Sequence, residues 1–252
     1  MVWSHSRISS FHECPYQFFL RYIKLCEKQP CFFASYGSFV HSLTEQFYSG
    51  KASAASLVSR YLLEFRTEVE GRAPSFKIFD SYFRQGLAYL QNLKPLSGSV
   101  LSTEQEVHFT VGDKPFVGFV DLVCRDEDGR LCIVDHKSRA LKPRSGKEKP
   151  TRSDAELDRY LRQLYLYSIP VSEQYGRTPD RLIFNCYRTG EWISEDFRPE
   201  GLAEAKAWAL SSIAQINSAQ GWPPNVDFWK CRYLCGLAHE CEYCQMAGGY
   251  HP

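Results

Sequence analysis

The segment Phe116–Ser138, FVGFVDLVCRDEDGRLCIVDHKS, decides the fold. Two apolar runs flank a short charged turn. Both are apolar on successive residues, as strands covered on both faces are. Gly129 supplies the left-handed backbone that the last position of a three-residue hairpin loop requires. With Glu127, Asp128 and Gly129 as that loop, Asp126 faces Arg130, an opposite-charge pair that favours the register. Asp121 then lies opposite Asp135, and Lys137, two residues on, shares their side. A two-residue Asp128-Gly129 loop would instead set His136 opposite Asp121. In the first register two carboxylates and an amine meet on one face. Charged groups at the end of a buried strand are costly unless paired, hydrogen-bonded or bound to a metal. A divalent cation would relieve the repulsion between the carboxylates. Mg²⁺ takes such oxygen ligands, polarises phosphate oxygens, and leaves a nearby lysine to stabilise developing charge. The set suits hydrolysis of a phosphodiester. The plainer alternative is a structural Asp135–Lys137 ion pair.

Composition bounds the rest. The chain has 252 residues with a formal net charge of +1. That is enough for a real core, and no global field draws it to polyanions. No apolar run approaches the length of a membrane span. The opening MVWSHSRISSFHECP lacks the layout of a secretory signal, so a cytoplasmic location is expected. Ten cysteines in such a setting do not read as disulfides. Cys26, Cys31, Cys124, Cys132 and Cys186 read as small buried hydrophobes. Cys14 and the tail group Cys231, Cys235, Cys241 and Cys244 do not.

Outward from the hairpin, the pattern predicts an α/β fold. SHSRISSFHECPYQFFLRYI reads as two short helices, with serines to cap the first and Pro15 in the first turn of the second. YGSFVHSLTEQFYSG, AASLVSRYLLEFRTEVEG and SFKIFDSYFRQGLAYLQNL read as amphipathic helices. TEQEVHFTV is a strand leading into the hairpin. LKPRSGKEKPTRSD breaks the pattern as a charged loop, and a mobile one would suit the holding of a phosphate backbone. AELDRYLRQLYLYSIPVSEQYG is helical, RLIFNCYRTG a strand, and EGLAEAKAWALSSIAQINSAQ a long helix. The expected organisation is one domain over 1–252: a helical part (1–98), a sheet core (99–200), and a C-terminal helix with a cysteine-rich cap (201–252).

GFVDLV followed by IVDHKS resembles the core of the PD-(D/E)XK nuclease superfamily, with Asp121 as the first acid and Asp135-His136-Lys137 as the D-x-K element. FVHSLTEQFY looks like the helix that supplies a histidine, His41, in the RecB-like branch. QLYLY is similar to that branch's Q-x-x-x-Y element, with Gln163 and Tyr167 on one helical face. SRISSFHECPYQFFLRYI looks like the opening of its iron–sulfur members, among them CRISPR-adaptation exonucleases and AddB-type nuclease domains. In those, a cysteine near the N-terminus joins three near the C-terminus around a [4Fe–4S] cluster. The resemblance spans Ser6 to about Cys244. It implies a restriction-endonuclease-like mixed sheet flanked by helices. It implies Mg²⁺ or Mn²⁺ on His41, Asp121, Asp135 and the His136 backbone carbonyl, with Asp121, Asp135 and Lys137 catalytic. Gln163 and Tyr167 would position the DNA strand. Glu106 matches the pattern poorly, and Glu45 reads as a surface or supporting group.

The tail reads C-x₃-C-x₅-C-x₂-C, where the branch usually has C-x₂-C-x₅-C. The resemblance then assigns the cluster to Cys14, Cys231, Cys235 and Cys241. Cys244 as a replacement ligand, and a zinc site of the four tail cysteines, are open alternatives. The loop after Lys137 carries Arg139, Lys142 and Arg144 among further cations, and is expected to hold phosphates without reading sequence. Phe18, Phe19, Tyr160, Tyr165, Trp229 and Tyr233 lie near the motifs, and some could stack on single-stranded bases. No G-x-x-x-x-G-K-[ST] loop is present, so no helicase motor is expected. The reading is a metal-dependent DNA exonuclease acting on single strands or ends, stand-alone or an oligomer, or serving a helicase, recombinase or CRISPR-adaptation partner. An endonuclease of the same fold and a non-catalytic DNA-binding adaptor are the alternatives.

Overall fold

The computed structural model describes residues 1–246. The last residues of the expected cap, 247–252, lie outside the described residues. Five helices precede the first strand: α1 (His5–Glu13), α2 (Pro15–Tyr22), α3 (Phe32–Tyr48), α4 (Ala54–Glu68) and α5 (Phe76–Gln91). Their starts follow local chemistry. Ser4, Ser53 and Ser75 each accept a backbone N–H of the first turn, which satisfies a donor that a helix leaves free. Cys14 caps α2 through its sulfur, with Pro15 in the first turn. α3 starts earlier than its amphipathic pattern suggested, because Phe32 and Tyr36 are buried against α4 and α5.

The sheet has five strands in the order β1-β2-β3-β4-β5. These are β1 (Ser99–Val111), β2 (Lys114–Arg125), β3 (Leu131–Lys137), β4 (Arg181–Cys186) and β5 (Glu191–Asp196). All neighbours are antiparallel except β3 and β4, which run parallel. A parallel pair needs a crossover, and α6 (Arg152–Tyr175) supplies it. The tail follows as α7 (Pro199–Ser218), α8 (Phe228–Tyr233), a 3₁₀ turn at Ala238–Glu240, and α9 (Glu242–Met246). No helix among the described residues is long and apolar enough to cross a membrane.

The three-residue loop is the one that forms. Gly129 has φ +77°, and the Asp126 N–H donates to the Arg130 carbonyl at 3.1 Å. The ladder that follows pairs Cys124 with Cys132 and Leu122 with Val134, so Asp121 stands in register with Asp135. One face of the sheet packs Phe116, Val120 and Ile133 against Leu157, Leu161 and Leu164 of α6. The other packs Leu122, Cys124, Cys132 and Val134 against Tyr48 of α3. Cys124, Cys132 and Cys186 are buried as expected, but Cys26 and Cys31 are only half-buried.

β5 has no counterpart in the sequence reading. Only Ile193 of Glu191–Asp196 is fully buried, so an edge strand this polar carries almost no apolar signal. The charged loop also differs from expectation. The buried Asp154 carboxylate accepts Ser145 N and Oγ at 2.7 and 2.6 Å, and Thr151 N and Oγ1 at 2.6 and 2.7 Å. These bonds hold its pKa well below the usual carboxylate range. They also close a capping box on α6 and tie the loop to that helix at two points.

Candidate active site and thiol cluster

Strand alternation places Asp135 and Lys137 toward α6 and His136 toward α3. Lys137 Nζ lies 2.7 Å from Asp135 Oδ2 and donates to Gln163 Oε1 at 3.2 Å. The Gln163 amide nitrogen in turn donates to the Tyr167 hydroxyl at 3.3 Å. The expected i, i+4 pair on α6 is therefore a chain of bonds that ends on the lysine. Tyr160, one turn earlier, places its ring 5.4 Å from Lys137 Nζ. Burial alone would lower the Lys137 pKa, but the Asp135 charge and hydrogen bond outweigh it and raise it. Lys137 is an ammonium, a donor of charge and hydrogen bonds.

Asp121 sits where β2 changes face. Val120 and Val123 both enter the core beside α6, although residues three apart point oppositely on a regular strand. On β1, Glu104 faces this point with φ +47°, and no ladder pair joins Glu104 to Asp121. Irregularities of this kind re-aim side chains, often at active sites. Asp121 Oδ2 accepts the His136 N–H at 2.7 Å, so the D-x-K backbone holds the first acid in place. Burial, then the neighbouring Asp135 charge, pushes the Asp121 pKa up to about 7, against the opposing pull of His41.

α3 brings in His41. Its Nε2 is hydrogen-bonded to Glu104 Oε1, and its Nδ1 lies 4.0 Å from Asp121 Oδ2. Burial lowers the His41 pKa, yet the Glu104 bond and the charges of Asp121, Glu104 and Asp135 raise it overall. One ligand atom each from His41, Glu104 and Asp121 fall within 4.8 Å of one another. A nitrogen and two carboxylate oxygens suit Mg²⁺ or Mn²⁺. The structure thus gathers His41 and Asp121 as the sequence suggested, adds Glu104, and ties Asp135 to Lys137. Glu106 is exposed and pairs with His108 at 3.1 Å. Glu45 pairs with Lys51 at 2.7 Å. The register from the tight Val111–Lys114 turn puts Glu104 opposite Asp121, and that count was the signal that could have found it.

The His136 ring turns away from the acids, stacks 5.8 Å from Tyr48, and takes a hydrogen bond from Asn185 at 3.1 Å. A cavity of about 230 Å³ opens beside it, lined by His41, Lys137, Ser138 and Tyr187 among others. Of the expected DNA contacts, Arg139 bonds the Tyr160 hydroxyl and Lys142 is exposed. Arg144 is held at 2.8 Å by both Asp158 and Glu195, so it fastens the loop to α6 and β5.

Gly118 explains why Tyr167 can lie flat on β2. A Cβ there would stand 2.4 Å from the Tyr167 ring. Gly118→Ala is expected to cost about 1–3 kcal/mol by overpacking and to loosen Gln163 from Lys137. Urea unfolding reads the first effect, and an unchanged midpoint would contradict the close approach.

The thiols meet at the far end of the chain's path. Cys14, Cys231, Cys235, Cys241 and Cys244 line one cavity of about 20 Å³ with Leu20 and Lys230. The Cys14 sulfur accepts the N–H groups of Gln17 and Asn225, both at 3.4 Å. Lys230 Nζ donates to the Glu13 carbonyl at 2.9 Å. Hydrogen bonds from Cys244 lower the thiol pKa of Cys235 and of Cys241, and the same bonds raise that of Cys244. Thiolates are the metal-binding form of cysteine, and an all-sulfur donor set fits an iron–sulfur cluster or zinc.

Comparison with known proteins bears on the fold and the family. The model of the PD-(D/E)XK nuclease superfamily matches residues 2–247. The chain belongs to that superfamily, whose members cleave nucleic acids with a divalent metal. A solved structure of a candidate exonuclease from Eubacterium rectale matches with TM-score 0.54 and 12% identity, over 99% of this chain and 94% of that chain. That likeness is one of fold. The structure of the protein SSO0001 matches with TM-score 0.34 and 17% identity, over 86% of this chain and 87% of that chain. No curated protein matches.

Proposed function

We propose that this chain is a Mg²⁺- or Mn²⁺-dependent DNA exonuclease of the RecB-like iron–sulfur branch, acting on single strands or DNA ends. One observation carries the reading: His41 from α3, Asp121 from β2, Asp135 and Lys137 from β3, and Gln163 and Tyr167 from α6 converge at one end of the sheet. His41, Glu104 and Asp121 would hold the ion, with Asp135 and the His136 carbonyl able to complete its shell. The ion would supply Lewis acidity toward the scissile phosphate. Lys137 would donate to a phosphate oxygen as negative charge builds on it. Gln163 and Tyr167 would hold Lys137 in place. The five thiols support a [4Fe–4S] clasp of Cys14, Cys231, Cys235 and Cys241 between the N-terminal helices and the tail, in a single cytoplasmic nuclease domain.

The test is a cleavage assay with anaerobically purified protein and Mg²⁺ or Mn²⁺. Substrates are single- and double-stranded DNA labelled at either end, and closed circles. Stepwise loss from one end, absent with circles and absent in Asp121→Ala, is the expected result. Cleaved circles would make it an endonuclease. A folded, metal-loaded wild type that cuts nothing would leave the proposal without support.

Metal binding also has a pH signature. Asp121 and His41 both have raised pKa values, so each contributes stability at low pH that is lost as pH rises through its folded pKa. Metal-free protein is expected to melt lower at pH 8 than at pH 6. Mg²⁺ must displace the Asp121 proton and meet neutral His41, so it should raise the melting temperature more at pH 8. Equal metal-induced shifts at the two pH values would contradict this.

A further inference from the structure

A second cavity, of about 450 Å³, adjoins the candidate site. Ser138, next to Lys137, lines both cavities. One wall is Phe33, Tyr82 and Arg188, and the facing residues Trp229 and Leu234 come from the cysteine cap. Phe33 and Tyr82 pack at 5.1 Å, and the Arg188 guanidinium lies 4.3 Å over the Tyr82 ring. Arg139 adds a second cation. Trp229 is 45% exposed and Leu234 46% exposed, so the cap presents apolar surface to a cleft that carries positive charge. Helix geometry explains how. On α8, residues two apart point about 200° from each other, so Cys231 enters the thiol cavity while Trp229 faces the cleft.

We propose that this cleft binds an unpaired nucleobase next to the scissile phosphate, with Trp229 as its stacking surface and Arg139 and Arg188 attracting the backbone. The proposal rests on the nuclease reading above. Aromatic walls with cations suit a flexible nucleic-acid strand. Bases inside a duplex are already stacked and cannot offer a face to Trp229, so the cleft favours single strands. The test is fluorescence anisotropy of labelled oligo-dT and of a blunt duplex, with Ca²⁺ in place of Mg²⁺. Trp229→Ala is expected to weaken oligo-dT binding about tenfold and duplex binding less than twofold, with Trp229→Phe restoring most of the loss. Leu234→Glu, at an exposed position, should weaken oligo-dT binding as well. Unchanged oligo-dT binding in Trp229→Ala and Leu234→Glu, or equal loss for the duplex, would overturn the assignment. Wild type that binds neither DNA would instead defeat the nuclease reading.

A different observation concerns Tyr187. It is 1% exposed, its N–H donates to the Lys137 carbonyl at 3.0 Å, and it lines the catalytic cavity. Its hydroxyl finds no hydrogen-bond partner among the described residues. Burial first, then the charge of Asp121, pushes its pKa well above the ordinary phenol value, so the hydroxyl keeps its proton. An unpartnered buried hydroxyl costs stability, and among the described residues Tyr187 alone combines one with a place on the wall of this cavity. We infer that Tyr187 is a catalytic residue whose hydroxyl donates to the phosphate or to the attacking water. Tyr187→Phe is expected to lower kcat about 100-fold with KM little changed, and to leave the melting temperature equal or higher. Tyr36→Phe removes another buried, unpartnered hydroxyl, in the core of α3, α4 and α5, and should leave kcat as it is. A Tyr187→Phe protein with wild-type kcat, or one that loses melting temperature and rate together, would refute the assignment.

Discussion

Lys137→Ala is expected to slow DNA cleavage by about 10²–10³-fold and to lower the melting temperature of metal-free protein. The two effects have different origins. The rate falls because Lys137 is an ammonium held against the acids, by Asp135 at 2.7 Å and Gln163 at 3.2 Å. Its raised pKa keeps it charged through the neutral range. Stability falls because Asp135, 3% exposed, loses its counter-charge. Breaking one side of a buried pair costs about 3–5 kcal/mol. A divalent ion nearby can replace the lost charge but not the hydrogen-bond donor. Added Mg²⁺ should therefore recover much of the melting temperature and little of the rate. Lys137→Arg separates the two further: it keeps the charge, but its planar fork does not reproduce the ammonium's placement. Single-turnover cleavage and thermal melts, with and without Mg²⁺, read both quantities. A Lys137→Ala rate within tenfold of wild type would show that the pair is structural, the plainer alternative left open by the sequence.

How far the sequence could be read depended on how local each determinant was. The hairpin register was legible because Gly129 needs a left-handed backbone and Asp126 matches Arg130. From there Asp121, Asp135 and Lys137 fell on one face by counting alone. Glu104 was not legible from alternation, which gave Glu106 equal standing. A left-handed residue facing the point where β2 changes face decides between them. The loop after Lys137 looked free because its charges were visible and its anchors were not. Asp154 holds it through Ser145 and Thr151. Arg144 is claimed by Glu195, on a strand whose single fully buried residue hid it from pattern reading. What escaped the sequence was each contact between a side chain and a distant, polar partner.

Cys14→Ser carries the largest expected loss of stability. Serine is itself a good helix N-cap, so the substitution preserves the cap of α2 and isolates the metal-binding role proposed for the sulfur. Cys14 meets Asn225 across 211 residues of sequence, and a metal shared with the tail would close a loop of that length. Loop-closure reasoning for links this long gives roughly 5 kcal/mol. The expected Cys14→Ser protein is pale, low in iron, and melts well below wild type. On the proposed cluster of Cys14, Cys231, Cys235 and Cys241, Cys244→Ser is expected to purify with as much iron as wild type, because four of the five thiols suffice. Iron retained in Cys14→Ser but lost in Cys244→Ser would move the site to the tail cysteines alone. Zinc without iron in anaerobic wild type would replace the cluster with a tetrahedral ion. In both cases the clasp would still stabilise the tail, but only a site that includes Cys14 adds a metal link to the hydrogen bonds that already join the N-terminal helices to the tail. That is why Cys14, and not any tail cysteine, is the residue to change first.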